Sequence, residues 1–78
     1  MIKIINKDDT KMNLDEMQEY VGGLIENFPQ KVIMNDREYG IVVNESGLID
    51  RLPVNKFMSD KFGFLIFGNV ILIEGGLE

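Results

Sequence analysis

Between Asn44 and Phe62 the chain gathers side chains able to recognise a small anion. Arg51 offers a planar fork of donors that matches phosphate oxygens, and Lys56 a point charge on a flexible stem. Asn44 and Asn55 each present a donor and an acceptor edge of the kind that reads a base. Glu45 can accept from a base amine or orient Arg51, and Phe57 can stack on a ring. Over 51–62, Arg51, Lys56 and Lys61 meet one acid, Asp60, although the whole chain carries thirteen acids against eight bases. Asn44, Glu45, Arg51, Asn55, Lys56 and Phe57 therefore form the candidate ligand site. The competing assignment makes Phe57 and Phe62 core, the basic residues a solvated face, and the two asparagines partners for loop backbone.

Catalytic chemistry has little to work with elsewhere. There is no His and no Cys, which removes the commonest general base, a thiolate nucleophile, a disulfide framework and the commonest metal ligands. Asp8-Asp9 lacks partners at metal-binding spacing, Ser46 and Ser59 have no basic relay, and the glycines follow no phosphate-cradling pattern. The expectation is a protein that is not an enzyme and takes no cofactor or metal.

The elements that must position these residues read as a small α+β domain. Residues 2–5 form a first strand, and Lys7 to Lys11 a polar loop. Asn13 is a good helix N-cap with Glu16 three residues on, as in a capping box, and Met12 and Met17 stand at the two staple positions. Leu14, Met17, Val21, Leu24 and Ile25 then share one face of a helix over about 14–26. Gly22-Gly23 sits badly inside it, at up to ~1 kcal/mol each. Either the helix ends early, or a strand, a second subunit or a ligand comes close to the backbone there.

Residues 31–34 and 37–44 make a hairpin around Asn35-Asp36, with Tyr39, Ile41 and Val43 on one parity. A short helix over Val54 to Asp60 follows, with Pro53 near its first turn and a break at Lys61-Phe62-Gly63. The runs 64–67 and 70–73 are continuously apolar, so Gly68-Asn69 reads either as a hairpin turn or as a bulge in one long strand. The sum is a sheet of about four strands, mostly antiparallel, with one amphipathic helix across a face and a short second helix.

At 78 residues this is one domain spanning 1–78, near the size where a single core supplies only roughly 3–5 kcal/mol without further help. Apolar edge strands and the Gly-Gly pair make self-association, as a dimer or tetramer, the expected aid. A net charge of −5 argues against long nucleic acid as a partner. The N-terminus is too soon charged for a signal peptide and no run spans a membrane, so a cytoplasmic, membrane-free protein is expected.

Four stretches, "VGGLIE" from Val21, "VVNESG" from Val42, "LPVN" from Leu52 and "FGNVILI" from Phe67, occur in an order that resembles a small domain of unknown function found in phages, plasmids and bacteria, DUF3846. The resemblance implies a mobile-element setting and brings no activity with it. It draws attention to Asn44-Glu45 and Asn55, which lie in the shared stretches. By analogy of size and economy, the chain is also similar to phage proteins that sequester nucleotide immune signals of the cyclic oligonucleotide type. The expected function is then stoichiometric binding of a small nucleotide, countering host defence. Two alternatives stand beside it: an acidic inhibitor that occupies a basic host groove through Asp15, Glu19 and Glu26, and a minor nucleotide-cleaving enzyme using Glu45 and Arg51.

Overall fold

The computed structural model describes residues 1–76. Strands β1 (Ile2–Ile5), β2 (Ile25–Met34), β3 (Arg37–Asn44) and β4 (Val70–Glu74) form one sheet in the order β1-β4-β3-β2, with helices α1 (Leu14–Val21) and α2 (Lys56–Phe62) in the connections. β2 and β4 run antiparallel to β3, while β1 is parallel to β4. The α+β class and the mostly antiparallel four-stranded sheet are as expected.

Alternation along the strands divides the core between the two faces of the sheet. Tyr39, Ile41 and Val43 of β3 join Val70 and Leu72 of β4 and Met58 of α2 on one side. Val42 and Ile71 join Ile5 and the α1 residues Met17 and Val21 on the other. Each helix thus covers one face, and Ile41, Ile71 and Leu72 at the middle of the sheet are fully buried.

The local signals act as their chemistry requires. The Asn13 side chain accepts from the Glu16 N–H, the Glu16 carboxylate accepts from the Asn13 N–H, and Met12 packs on the cluster that holds Met17. Asn35 and Asp36 both take left-handed φ, 52° and 63°, the condition for a two-residue hairpin whose twist suits its strands.

Four expectations are corrected. The helix read over 14–26 ends at Val21, because Gly22 turns left-handed at φ 85° and the N–H groups of Gly22 and Gly23 both donate to the Gln18 carbonyl. Leu24 is left exposed, and Ile25 starts a strand instead of closing a helical face. That strand, β2, begins six residues earlier than the expected 31–34. It accommodates Pro29 because β2 is an edge strand with an irregularity between Phe28 and Val32, a place where proline is tolerated. Two extra residues there preserve parity, so Phe28, Val32 and Met34 all meet the same core. α2 is Lys56–Phe62 rather than 54–60, since Asn55 caps it and Gly63 closes it at φ 73°. Finally, 64–67 is no strand of the sheet: it makes one isolated bridge, Phe67 to Val54, before Gly68 at φ 92° turns the chain into β4.

Candidate functional site

Of the six residues expected to bind a ligand, three are committed to holding the fold. Asn44, at the end of β3, is buried. Its Nδ2 donates to the Val21 carbonyl at 3.0 Å and its Oδ1 accepts from the Ser46 N–H at 2.7 Å. This amide is what comes close to the Gly-Gly backbone, for a Cβ on Gly23 would stand 3.0 Å from Asn44 Nδ2. Asn55 is equally buried. Its Oδ1 caps α2 at the Met58 N–H, while Nδ2 donates to the Met1 and Gly68 carbonyls at 2.9 and 2.8 Å. Both amides are turned to the protein's own backbone and are nearly closed off from solvent. Phe57 packs edge-on against Phe62, with ring centroids 6.1 Å apart, against the core around Met58.

Glu45, Arg51 and Lys56 are exposed. Arg51 ends a single helical turn in which Asp50 N–H donates to the Ser46 carbonyl, Arg51 N–H to Leu48 and Leu52 N–H to Gly47. The residue after such a turn takes left-handed φ, here 58°, a conformation usually given to glycine. The loop 44–57 is therefore well bonded, but it does not draw its six residues around one cleft.

A different region does enclose space. A cleft of about 500 Å³, within the range of small-molecule sites, opens where β1 and β4 end side by side. Ile5, Met12, Met17 and Ile73 give it apolar walls, and Lys7 and Lys11 supply its cations. The parallel pairing of β1 and β4 creates it by bringing both carboxyl ends to one edge, the usual position for ligands of open sheets with parallel strands. The capping box at Asn13 fixes where α1 begins and so holds Met12 and Met17 over the cleft.

The polar groups around the cleft are ordered by the fold. Glu74 accepts from the Lys7 backbone N–H at 2.9 Å and lies 3.6 Å from Arg37 Nη1, so its charge is met from the sheet side. Asp9 is turned back to accept from the Asn6 N–H at 2.7 Å, and the buried Tyr39 hydroxyl donates to Asn6 Oδ1. Lys7 and Lys11 form no ion pair among the described residues. Left-handed Gly75 lies against the Lys7 stem, where a Cβ would stand 3.6 Å from Cε. In the sequence Lys7 and Lys11 read as no more than part of a polar loop, with Asp8-Asp9 standing between them. Their four-residue spacing around an acid pair was the available signal, and it is a weak one.

No group of three or more His, Cys, Asp or Glu among the described residues is placed to hold a metal ion, and no helix there is long and apolar enough to cross a membrane. No curated protein and no solved structure matches the chain. A family model matches residues 2–77, covering β1, the cleft and the 44–57 loop alike, and the protein belongs to the family it describes, Domain of unknown function (DUF3846).

Proposed function

We propose that the protein is a non-catalytic binder of a small phosphorylated ligand of the nucleotide class, held in the cleft between the ends of β1 and β4 and the start of α1. The observation that carries this is the meeting of Lys7 and Lys11 with an apolar pocket of ligand size in a chain whose net charge is −5. Phosphate oxygens meet the two ammonium groups, and the flat body of the ligand lies against Ile5, Ile73 and the polarizable thioethers of Met12 and Met17. With no His or Cys anywhere in the sequence, binding rather than turnover is what these groups do best.

Stoichiometric binding lowers the free concentration of a signal, and each tenfold advantage over a competing receptor requires about 1.4 kcal/mol. A cyclic oligonucleotide immune signal, in the phage or mobile-element setting that the family resemblance implies, is the ligand that gives such a binder a purpose. Self-association remains part of this proposal, with the outer edge of β1 available for a second copy.

The test is isothermal titration and native mass spectrometry with AMP, ADP and cyclic dinucleotides at low salt. Recovery of intact nucleotide from the wild type, and affinity reduced at least tenfold by Lys7→Glu combined with Lys11→Glu, is the expected result. Binding that ignores both reversals refutes the site, and no binding across the panel refutes the ligand class. Recovery of a cleaved product refutes the absence of turnover.

A further inference from the structure

A second surface, of opposite charge, lies on the other face of the sheet. We infer that the groove between the free edge of β2 and the 45–52 turn docks an extended segment of a partner protein in which an apolar residue is flanked at alternate positions by Lys or Arg. This does not depend on what the cleft between β1 and β4 binds.

The groove has a volume of about 140 Å³ and an apolar floor of Phe28, Val43 and Phe67. Leu48 and Leu65 stand beside it, 69% and 70% exposed, and the neighbouring Ile49 is 82% exposed. Large aliphatic side chains reach such exposure on a loose loop without meaning, but this turn is clamped. A Cβ on Gly47 would sit 2.7 Å from the Phe67 carbonyl oxygen, and one on Gly68 would sit 2.7 Å from Leu52 Cδ1, so both ends of the turn are pressed onto the 64–68 segment. Three internal backbone hydrogen bonds fix what lies between. Leu48 and Ile49 thus stand out toward solvent on a turn that is hydrogen-bonded internally and packed at both ends, where an exposed apolar patch marks an interaction surface.

Charge and main chain define the occupant. The ionisable residues lining the groove are Glu26 and Glu45, both acidic, and Asp50 follows on the turn. β2 is the last strand of the sheet, so one side of it carries unpaired main-chain groups. The Glu45 N–H donates to the Leu24 carbonyl, and the register continues Glu26 to Val43 and Phe28 to Ile41. That alternation aims the amides and carbonyls of Ile25 and Asn27 outward. Pro29 and the irregularity after Phe28 end the usable edge there, which restricts it to a short added strand. A strand joining at Ile25–Phe28 puts every second side chain toward the groove. In a basic-x-apolar-x-basic segment, the central residue enters between Leu48, Leu65 and Phe28 while its neighbours reach Glu26 and Glu45. Main-chain pairing supplies affinity in this mode, and the alternate side chains supply selectivity.

The test is an array of fluorescein-labelled nonapeptides, GTRTXTRTG with X as Leu, Ile, Val or Phe, against counterparts carrying Glu in place of Arg. At least one basic peptide is expected to bind saturably at one per chain and to weaken tenfold or more with Glu26→Lys plus Glu45→Lys. In ¹⁵N-labelled protein its amide shifts centre on Ile25–Phe28, Leu48 and Leu65. Failure of every basic peptide, equal binding of the Glu counterparts, or unchanged affinity in the double reversal overturns the inference. So does a wild-type dimer in sedimentation that Leu48→Asp converts to monomer, since a second copy would then be what covers the groove.

Discussion

Asn55 offers the sharpest test of how this small domain holds together. Its side chain, 3% exposed, ties three separate pieces of chain: the first turn of α2 through the Met58 N–H, the start of β1 through the Met1 carbonyl, and the entry to β4 through the Gly68 carbonyl. Asn55→Ala removes an N-cap, worth about 1 kcal/mol, and the donors of two carbonyls, each worth about 1 kcal/mol. The expected loss is about 3 kcal/mol. For a domain of this length the whole stability is roughly 4–12 kcal/mol, and the loss corresponds to a fall in Tm of about 12–24 °C. Urea unfolding followed by far-ultraviolet circular dichroism measures it, with the m-value showing that the unfolding transition itself is unaltered. Asn55→Asp separates the contributions. Aspartate caps helices as well as asparagine does, but here it would aim a second oxygen at two carbonyl oxygens inside the protein, so it should be at least as damaging as alanine. The reasoning fails if Asn55→Ala lies within about 0.5 kcal/mol of wild type, or if Asn55→Asp restores full stability and leaves the cap as the only contribution.

Two further outcomes are expected. Arg51→Gly relieves a left-handed backbone at φ 58° and should raise stability by about 1 kcal/mol, or roughly 4–8 °C in a thermal melt. Nucleotide affinity in titration should be unchanged by it, whereas a tenfold loss would return the ligand site to the 44–57 loop. Burial pushes the Tyr20 phenol above its ordinary value of 10.0, so the folded chain keeps that proton more tightly than the unfolded one. Stability from this source is complete below pH 10 and falls as pH rises through the raised value. Urea midpoints taken across that alkaline range should decline less steeply in Tyr20→Phe, and parallel curves would show that another group sets the decline.

Much of the architecture was legible because its signals are local. Asn13 and Glu16 meet across three residues, Asn35-Asp36 satisfies its turn by itself, and the alternation of Tyr39, Ile41 and Val43 needs only a strand to express it. The places where local reasoning failed are those where distant chain intervened. Gly22 could end α1 or continue it, and β2 could accept Pro29 only as an edge.

The same division separates the candidate sites. The amino-acid types of the 44–57 loop suggested recognition, but the partners of its asparagines come from 23 residues away for Asn44 at Val21 and 54 residues away for Asn55 at Met1. A side-chain amide has the same donors and acceptors whether a ligand or the protein's own backbone arrives to meet them, so composition alone could not assign these two. Asn69 illustrates the point again, since its donation to the Tyr20 carbonyl joins residues 49 positions apart and had no trace in local pattern. The cleft exists because parallel pairing sets Ile5 opposite Ile73, which brings Lys7 and Lys11 to the end of β4. The sequence by itself determined an acidic α+β domain without His or Cys, its capping box and its hairpin turn. Tertiary packing decided which polar groups were consumed in folding and which cations were left facing a pocket, because that depends on residues far apart along the chain.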